Sequence, residues 1–198
     1  MIARLTGRVL EKGPGRLVLD VAGVGYDLLL PASTVQKLPD DGAQVRLFVR
    51  TVVREDAITL FGFLDRRERD LFDMLVTVKN VGPRVAIAIL SGMPFEPLVV
   101  AMLEEDYKTL TAIPGLGRKT AERILVELKD KIALFAQSVA LEHAADVPQS
   151  AQDALSALVN LGYTRVEAAR AVSAAVKDLG AGAALEQIVA KSLNILGN

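Results

Sequence analysis

The sequence predicts an α+β, multidomain protein: a small strand-built barrel, a central all-α domain and a small C-terminal three-helix unit. Three observations predict it. Residues 1–63 alternate apolar and polar side chains with the period of two that a half-buried strand requires. From Asp65 the apolar period becomes helical. Within the helical part, one short device occurs twice, 35 residues apart.

In the first domain, residues 1–63, Ala3, Leu5, Gly7 and Val9 share one strand face. Leu17, Leu19 and Val21, then Tyr26, Leu28 and Leu30, follow on later strands, with Gly13-Pro14-Gly15 and Gly23-Val24-Gly25 as turns. Val45, Leu47, Val49, Thr51 and Val53 form one long strand face, and Ala57, Thr59, Phe61 and Phe63 the returning one. Five or six such strands suit a small antiparallel barrel, of which the OB-fold is the commonest nucleic-acid-binding example.

The second domain, residues 64–134, opens with Asp65 and Glu68 spaced as a capping box. Leu71, Phe72, Met74, Leu75 and Val78 then mark a helix. A glycine turn precedes a second helix to about Leu90, and Pro94 and Pro97 frame another near Phe95–Leu103. A short segment, Tyr107–Thr111, leads to a second glycine turn and a helix to about Leu134. Residues 135–150 lose periodicity and read as a flexible linker. In residues 151–198, Leu155, Leu158 and Val159 mark the first of three helices, which ends at Leu161-Gly162-Tyr163. Thr164 and Glu167 box the second helix, and Leu185, Ile188, Val189, Leu193 and Leu196 line the third.

Composition excludes several classes. No run of 18 apolar residues exists, and the N-terminal ten residues are interrupted by Arg4 and Arg8, so neither a membrane span nor a secretory leader is expected and the default location is cytoplasmic. With no cysteine and one histidine, His143, metal and thiolate chemistry are not expected, and no cofactor is predicted. The net charge of −1 divides evenly: eight basic against seven acidic side chains in residues 1–63, eleven against eleven in 64–133, and four against six in 134–198. Any DNA surface is therefore a local arrangement of charge and not a basic domain.

The repeated device reads V-K-N-V-G-P-R-V-A-I-A-I-L in residues 78–90 and I-P-G-L-G-R-K-T-A-E-R-I-L in residues 113–125. Each copy sets a glycine turn before a helix with a basic residue in its first turn, Arg84 in one and Lys119 in the other. Backbone N–H groups at a helix start are unpaired and partly positive, which suits a phosphate. A single such turn is weak evidence; two with matching apolar positions are much stronger. The pattern resembles the helix-hairpin-helix motif, whose hairpin amides contact DNA phosphates without reading sequence. The candidate DNA contacts are Asn80, Val81, Gly82 and Arg84 in the first copy. Gly115, Leu116, Gly117, Arg118, Lys119 and Arg123 are those of the second. Asn80 stands where glycine is usual; asparagine tolerates the left-handed region better than most residues, so the hairpin is expected to survive.

Glu55 and Asp56 sit at the turn between the two longest strands. Alone they read as a solvated hairpin tip; on a DNA-binding protein they also suit a wedge that repels phosphate. No second acidic cluster gives them two-metal geometry. A helix-hairpin-helix DNA glycosylase is a competing class, but Asp130 comes early, Asp146 falls in the linker, and a strand-rich first domain is unexpected for it. A non-enzymatic interaction scaffold is the other. No Walker pattern occurs, so the chain is not expected to be an enzyme on its own, and any ATP-driven activity belongs to a partner.

Along essentially its whole length the chain resembles the RuvA family of bacterial Holliday-junction-binding proteins. The matching segments are Gly-Val-Gly-Tyr at 23–26, Val-Val-Arg-Glu-Asp-Ala at 52–57, Val-Gly-Pro-Arg at 81–84, Ala-Ile-Leu-Ser-Gly at 88–92 and Leu-Gly-Arg-Lys-Thr-Ala-Glu-Arg at 116–123. The resemblance implies an OB-fold barrel, a tandem helix-hairpin-helix domain and a UBA-like C-terminal domain. It implies a homotetramer that holds a four-way DNA junction open and square, with one tetramer or two (an octamer) on the DNA. Glu55 and Asp56 would be its acidic pin. The C-terminal domain would engage the RuvB ATPase motor for branch migration in recombination and repair, on a complex where the RuvC resolvase also acts. Leu161, Gly162 and Tyr163 resemble a partner-docking corner, although a plain core role suits Leu161 equally.

Overall fold

A computed structural model describes residues 1–145, 149–180 and 182–197. Five strands, β1 (Arg4–Gly13), β2 (Arg16–Val21), β3 (Val24–Leu29), β4 (Gln44–Val53) and β5 (Ile58–Phe63), close a barrel in the order β1-β2-β3-β5-β4. Strand alternation puts Leu5, Val9, Leu17, Leu19, Leu28 and Leu47 inside, where each is buried. Burial of one such side chain is worth about 1.5–3 kcal/mol. The barrel is not wholly antiparallel as expected. Between β3 and β5 the chain passes through the short helix α1 (Ala32–Val35) and β4, so β5 returns parallel to β3, with Leu28 opposite Leu60.

The returning strand also faces differently from expectation. Leu60 and Gly62, not Phe61 and Phe63, point into the barrel; a Cβ on Gly62 would lie 3.2 Å from a methyl of Leu28. Phe61 and Phe63 instead flank Phe72 of helix α2 (Arg66–Leu75), at 5.1 and 5.2 Å between ring centroids. Both faces of β5 are buried because a helix covers the outside of the barrel there.

Asp65 caps α2 by accepting the Arg67 N–H at 2.8 Å, as the sequence suggested. Glu68 does not complete the box. It turns inward, is buried, and accepts the Thr34 hydroxyl of α1 at 3.2 Å. Further bonds join barrel and helices: the Ala32 N–H donates to Ser91 Oγ (3.0 Å), the Ser33 hydroxyl to the Leu90 carbonyl (3.0 Å), and Arg50 pairs with Asp73 (3.0 Å). These contacts join the barrel and the helices that follow it into one compact unit, Met1–Leu134.

The helical part continues with α3 (Pro83–Gly92), α4 (Phe95–Leu103), α5 (Tyr107–Thr111) and α6 (Arg118–Ala145). Among the described residues no single helix is long and apolar enough to cross a membrane; α3 and α4 qualify only as a pair bent by 104°. The expected linker is a correction. Residues 135–145 extend α6, because this stretch holds four alanines, the best helix formers, and neither Gly nor Pro. Residues 146–148 of that linker, Asp146 among them, lie outside the described residues, as does the side chain of His143.

The second unit, Phe135–Asn198, contains α7 (Gln149–Asn160), α8 (Arg165–Leu179) and α9 (Leu185–Leu196). Thr164 and Glu167 form the expected capping box. The core is built on small residues: Ala151, Ala154 and Leu158 of α7 meet Ala168, Ala175 and Ile188. The buried face of α7 is thus rotated from the Leu155-Leu158-Val159 reading, leaving Val159 36% exposed. Alanines let helices approach closely yet carry too little hydrophobicity to dominate a periodicity.

Burial raises the Glu68 carboxyl above its ordinary pKa, opposed by Lys37 and the Thr34 hydrogen bond, with Asp65 and Glu96 adding to the rise. A carboxylate whose folded pKa is raised costs stability above that pKa, and the cost vanishes below the unfolded value. Glu68→Gln keeps a partner for Thr34 and removes the buried charge. The variant is expected to match or exceed the parent's thermal midpoint at pH 7, with the difference shrinking as pH falls toward 4. A lower midpoint at pH 7 would refute this account of Glu68.

Candidate nucleic-acid interface

The two repeats fold into two hairpins of matching main-chain geometry. In the first, between α2 and α3, Asn80 takes φ +69°; in the second, between α5 and α6, Gly115 takes φ +85°. The expectation that asparagine would preserve the left-handed turn is met. Val81 N–H donates to the Val78 carbonyl at 3.0 Å, and Leu116 N–H to the Ile113 carbonyl at 3.1 Å. One turn later, Ala86 N–H reaches the Gly82 carbonyl and Ala121 N–H the Gly117 carbonyl, both at 3.0 Å. Val78, Val81, Ile113 and Leu116 are buried and anchor each loop. Val81 and Leu116 can therefore meet a ligand only through main-chain atoms.

Gly82 and Gly117 carry the more informative observation. Neither has positive φ, and a Cβ on either would meet nothing within 4 Å. Neither backbone conformation nor packing inside this chain calls for glycine there. The open space lies beside the first turns of α3 and α6, where unpaired N–H groups are directed. No side chain caps α3, and Pro83 at its first position has no N–H to leave unpaired. The first turn of α3 thus offers bare amides to an approaching acceptor, and Gly117 brings no side chain of its own to the start of α6.

The basic candidates divide by their partners. Arg84 and Lys119 are exposed and have no ion-pair partner among the described residues. Arg118, 85% exposed, pairs loosely along α6 with Glu122 at 2.9 Å, a contact worth under about 1 kcal/mol. Arg123 is engaged within the fold: its guanidinium donates to the Lys79 carbonyl at 3.3 Å, while the Lys79 N–H donates to Glu127 at 3.4 Å. Arg123 and Glu127, one turn apart on α6, so hold the carbonyl and the N–H of Lys79, in two successive peptide groups of the first hairpin.

Sequence reasoning missed Lys79, exposed beside Asn80, which the position just before the left-handed residue would have suggested. It also missed Lys108, Thr111 and Tyr107, which line an open groove of about 420 Å³ together with Arg118 and Glu122. Those residues lie on α5, outside the repeated device, and carried no signal.

At the β4–β5 turn the last strand pair is Val53 opposite Ile58, and the Arg54 N–H donates to the Ala57 carbonyl at 2.8 Å. Glu55 and Asp56 project beyond it, exposed and without hydrogen bond or ion pair among the described residues. Val53, on the strand face that buries Val45, Leu47 and Val49, is 69% exposed, since the hairpin extends past the barrel.

In the second unit, the Gly162 N–H donates to the Val159 carbonyl (3.0 Å) and the Tyr163 N–H to the Leu158 carbonyl (3.2 Å), with φ +101° at Gly162. This is a Schellman end to α7. It turns Tyr163 back onto the core and leaves Leu161 62% exposed, so Leu161 has no core role within this chain.

A closed five-stranded barrel joined to two hairpins of one geometry defines an OB-fold, tandem helix-hairpin-helix protein. Residues 1–62 match the RuvA N terminal domain, residues 72–130 the SAM-like helix-hairpin-helix tandem, and residues 149–197 the RuvA C-terminal domain. A curated protein of Acidobacterium capsulatum is 48% identical over 198 residues, covering 99% of this chain and all of the relative. One from Syntrophobacter fumaroxidans is 44% identical over 99% of this chain and all of the relative. One from Pseudomonas putida strain W619 is 45% identical over 98% and 97%. All three are named Holliday junction branch migration complex subunit RuvA. The chain belongs to the RuvA family.

Proposed function

We propose that this chain is the Holliday-junction-binding subunit of a branch migration complex, acting in the cytoplasm as a homotetramer without cofactor or catalytic site of its own. The observation that carries this reading is the pair of hairpins, each setting a helix start behind a glycine that nothing inside the chain requires. Phosphate recognition of this kind reads DNA shape and not sequence, and a four-way junction is a shape. Asn80, Gly82, Gly115 and Gly117 supply main-chain contacts, as do Val81 and Leu116; Arg84, Arg118 and Lys119 supply charge. Arg123 acts mainly by positioning Lys79.

Glu55 and Asp56 form the pin at the junction centre. Four copies bring eight carboxylates toward one point, which repels phosphates and favours an open crossover. The C-terminal unit recruits the RuvB motor, with exposed Leu161 on the Gly162–Tyr163 corner as its contact, and RuvC acts on the same assembly. Support for the division of labour comes from charge: residues 134–198 hold four basic against six acidic side chains, a poor DNA surface.

Gly82→Ala with Gly117→Ala should cost under about 1 kcal/mol of stability per site yet weaken junction binding at least tenfold, on the order of the 1.4 kcal/mol that blocked phosphate approach would remove. Arg118→Ala with Lys119→Ala should lower the log–log salt slope by about 0.9 per lost contact in each subunit. Full affinity in the glycine variant, or an unchanged slope in the basic one, sinks the hairpin assignment.

Glu55→Gln with Asp56→Asn should strengthen binding to linear duplex more than to the junction, and the gain should fade at high salt as screening shortens the repulsion. Weaker junction binding in that variant would overturn the repulsive pin. Removal of residues 149–198 should leave junction binding nearly intact and abolish motor-driven branch migration; loss of junction binding on truncation counts against the C-terminal assignment.

A further inference from the structure

We propose that the outer face of strands β1 and β4 is an auxiliary binding site for the phosphodiester backbone of duplex DNA, carried by Arg4, Arg8 and Arg46. In the β1–β4 ladder, Arg4 stands opposite Phe48, Thr6 opposite Arg46, and Arg8 opposite Gln44. Arg46 is therefore diagonal to both other arginines on the same face, at about 7–8 Å between backbones. Arg4 and Arg8, four residues apart on one strand, span about 14 Å. All three are exposed, and among the described residues none has an ion pair or hydrogen bond through its side chain.

The other cations within the five strands are paired. Lys12 pairs with Asp41 at 3.7 Å, Arg16 with Asp27 at 2.7 Å, and Arg50 with Asp73 at 3.0 Å. The nearest acid to the cluster by register is Asp20, opposite Arg8 on β2, and its Oδ1 accepts the Gly23 N–H at 2.8 Å. Three like charges held on one rigid sheet repel each other by about half a kcal/mol per pair even in water. An outside polyanion removes that repulsion.

The chemistry of the face favours DNA over a protein partner. A protein interface needs an apolar or aromatic centre depleted of charge. Here the exposed residues between the arginines are Thr6 and Gln44, neutral hydrogen-bond donors of the kind that accompany arginine on phosphates, and the exposed apolar side chain of Leu10 lies beyond Arg8 at the edge of the cluster. The one aromatic, Phe48, is half-buried with the Arg69 guanidinium 5.8 Å from its ring centroid. The strands' own amides are used in the barrel, so contact would be through side chains alone.

This inference rests on the DNA-binding reading above, and the test separates the two. In the full chain, Arg4→Gln, Arg8→Gln and Arg46→Gln together should leave the fold intact, since the side chains are exposed and unpaired. The salt slope for a long linear duplex should fall by up to about 0.9 per arginine per subunit, with an affinity loss on the order of tenfold at low salt. Arg16→Gln, which removes an arginine already paired with Asp27, should change little. An equal loss per residue in Arg16→Gln would mean that only net charge matters and would overturn the site. A changed native mass in the triple variant would mean that the face joins copies of the chain, and would also overturn it. An unchanged slope in the triple variant, with Arg118→Ala/Lys119→Ala still effective, discards the auxiliary site and keeps the hairpins. The converse result keeps the auxiliary site and discards the hairpins.

Discussion

The starts of α3 and α6, each set behind a glycine that packing does not require, are the constraint on which the rest of the helical region depends. A helix N-terminus can serve a ligand only if no side chain satisfies it first and if the preceding loop is stiff enough to keep the amides aimed. Both conditions are met by construction. Open glycines stand where capping side chains would, and buried Val78, Val81, Ile113 and Leu116 hold the loops from below. The left-handed residue between them, Asn80 or Gly115, reverses the chain in the fewest residues.

Charge is handled with the same economy. A net charge of −1 is compatible with polyanion binding because cations and anions are sorted by position. Arg16, Arg50 and Lys129 are occupied by Asp27, Asp73 and Glu105, whereas Arg84 and Lys119, beside the hairpins, have no ion-pair partner among the described residues. Glu55 and Asp56 are equally unpaired, at the end of a hairpin that projects past the barrel. Bulk composition averages over this sorting and conceals it.

The barrel alternation, the two hairpins and the Thr164 capping box were legible in the sequence because each depends on neighbours within a few residues. What was illegible depends on distant ones. The inward face of β5 could not be read from its own pattern, since Phe61 and Phe63 are buried by Phe72 of α2. Glu68 has the spacing of a cap but is drawn inward by Thr34, 34 residues away. Arg123 donates to the Lys79 carbonyl, 44 residues away, a contact that its own segment does not announce. The extension of α6 to Ala145 was hidden because its apolar stripe fades before its helix-forming composition does.

Arg123 and Glu127 of α6 hold the Lys79 backbone on both its carbonyl and its N–H, which fixes the first hairpin against the helix that follows the second. Two independent loops would each meet a phosphate at its bulk concentration. Loops fixed to one another present the second amide cluster at an effective concentration set by their spacing, which can exceed what either alone achieves by orders of magnitude. Dissociation then requires both contacts to open together. On the phosphate-binding role proposed above, a contact that opens at one hairpin would be recaptured from the other.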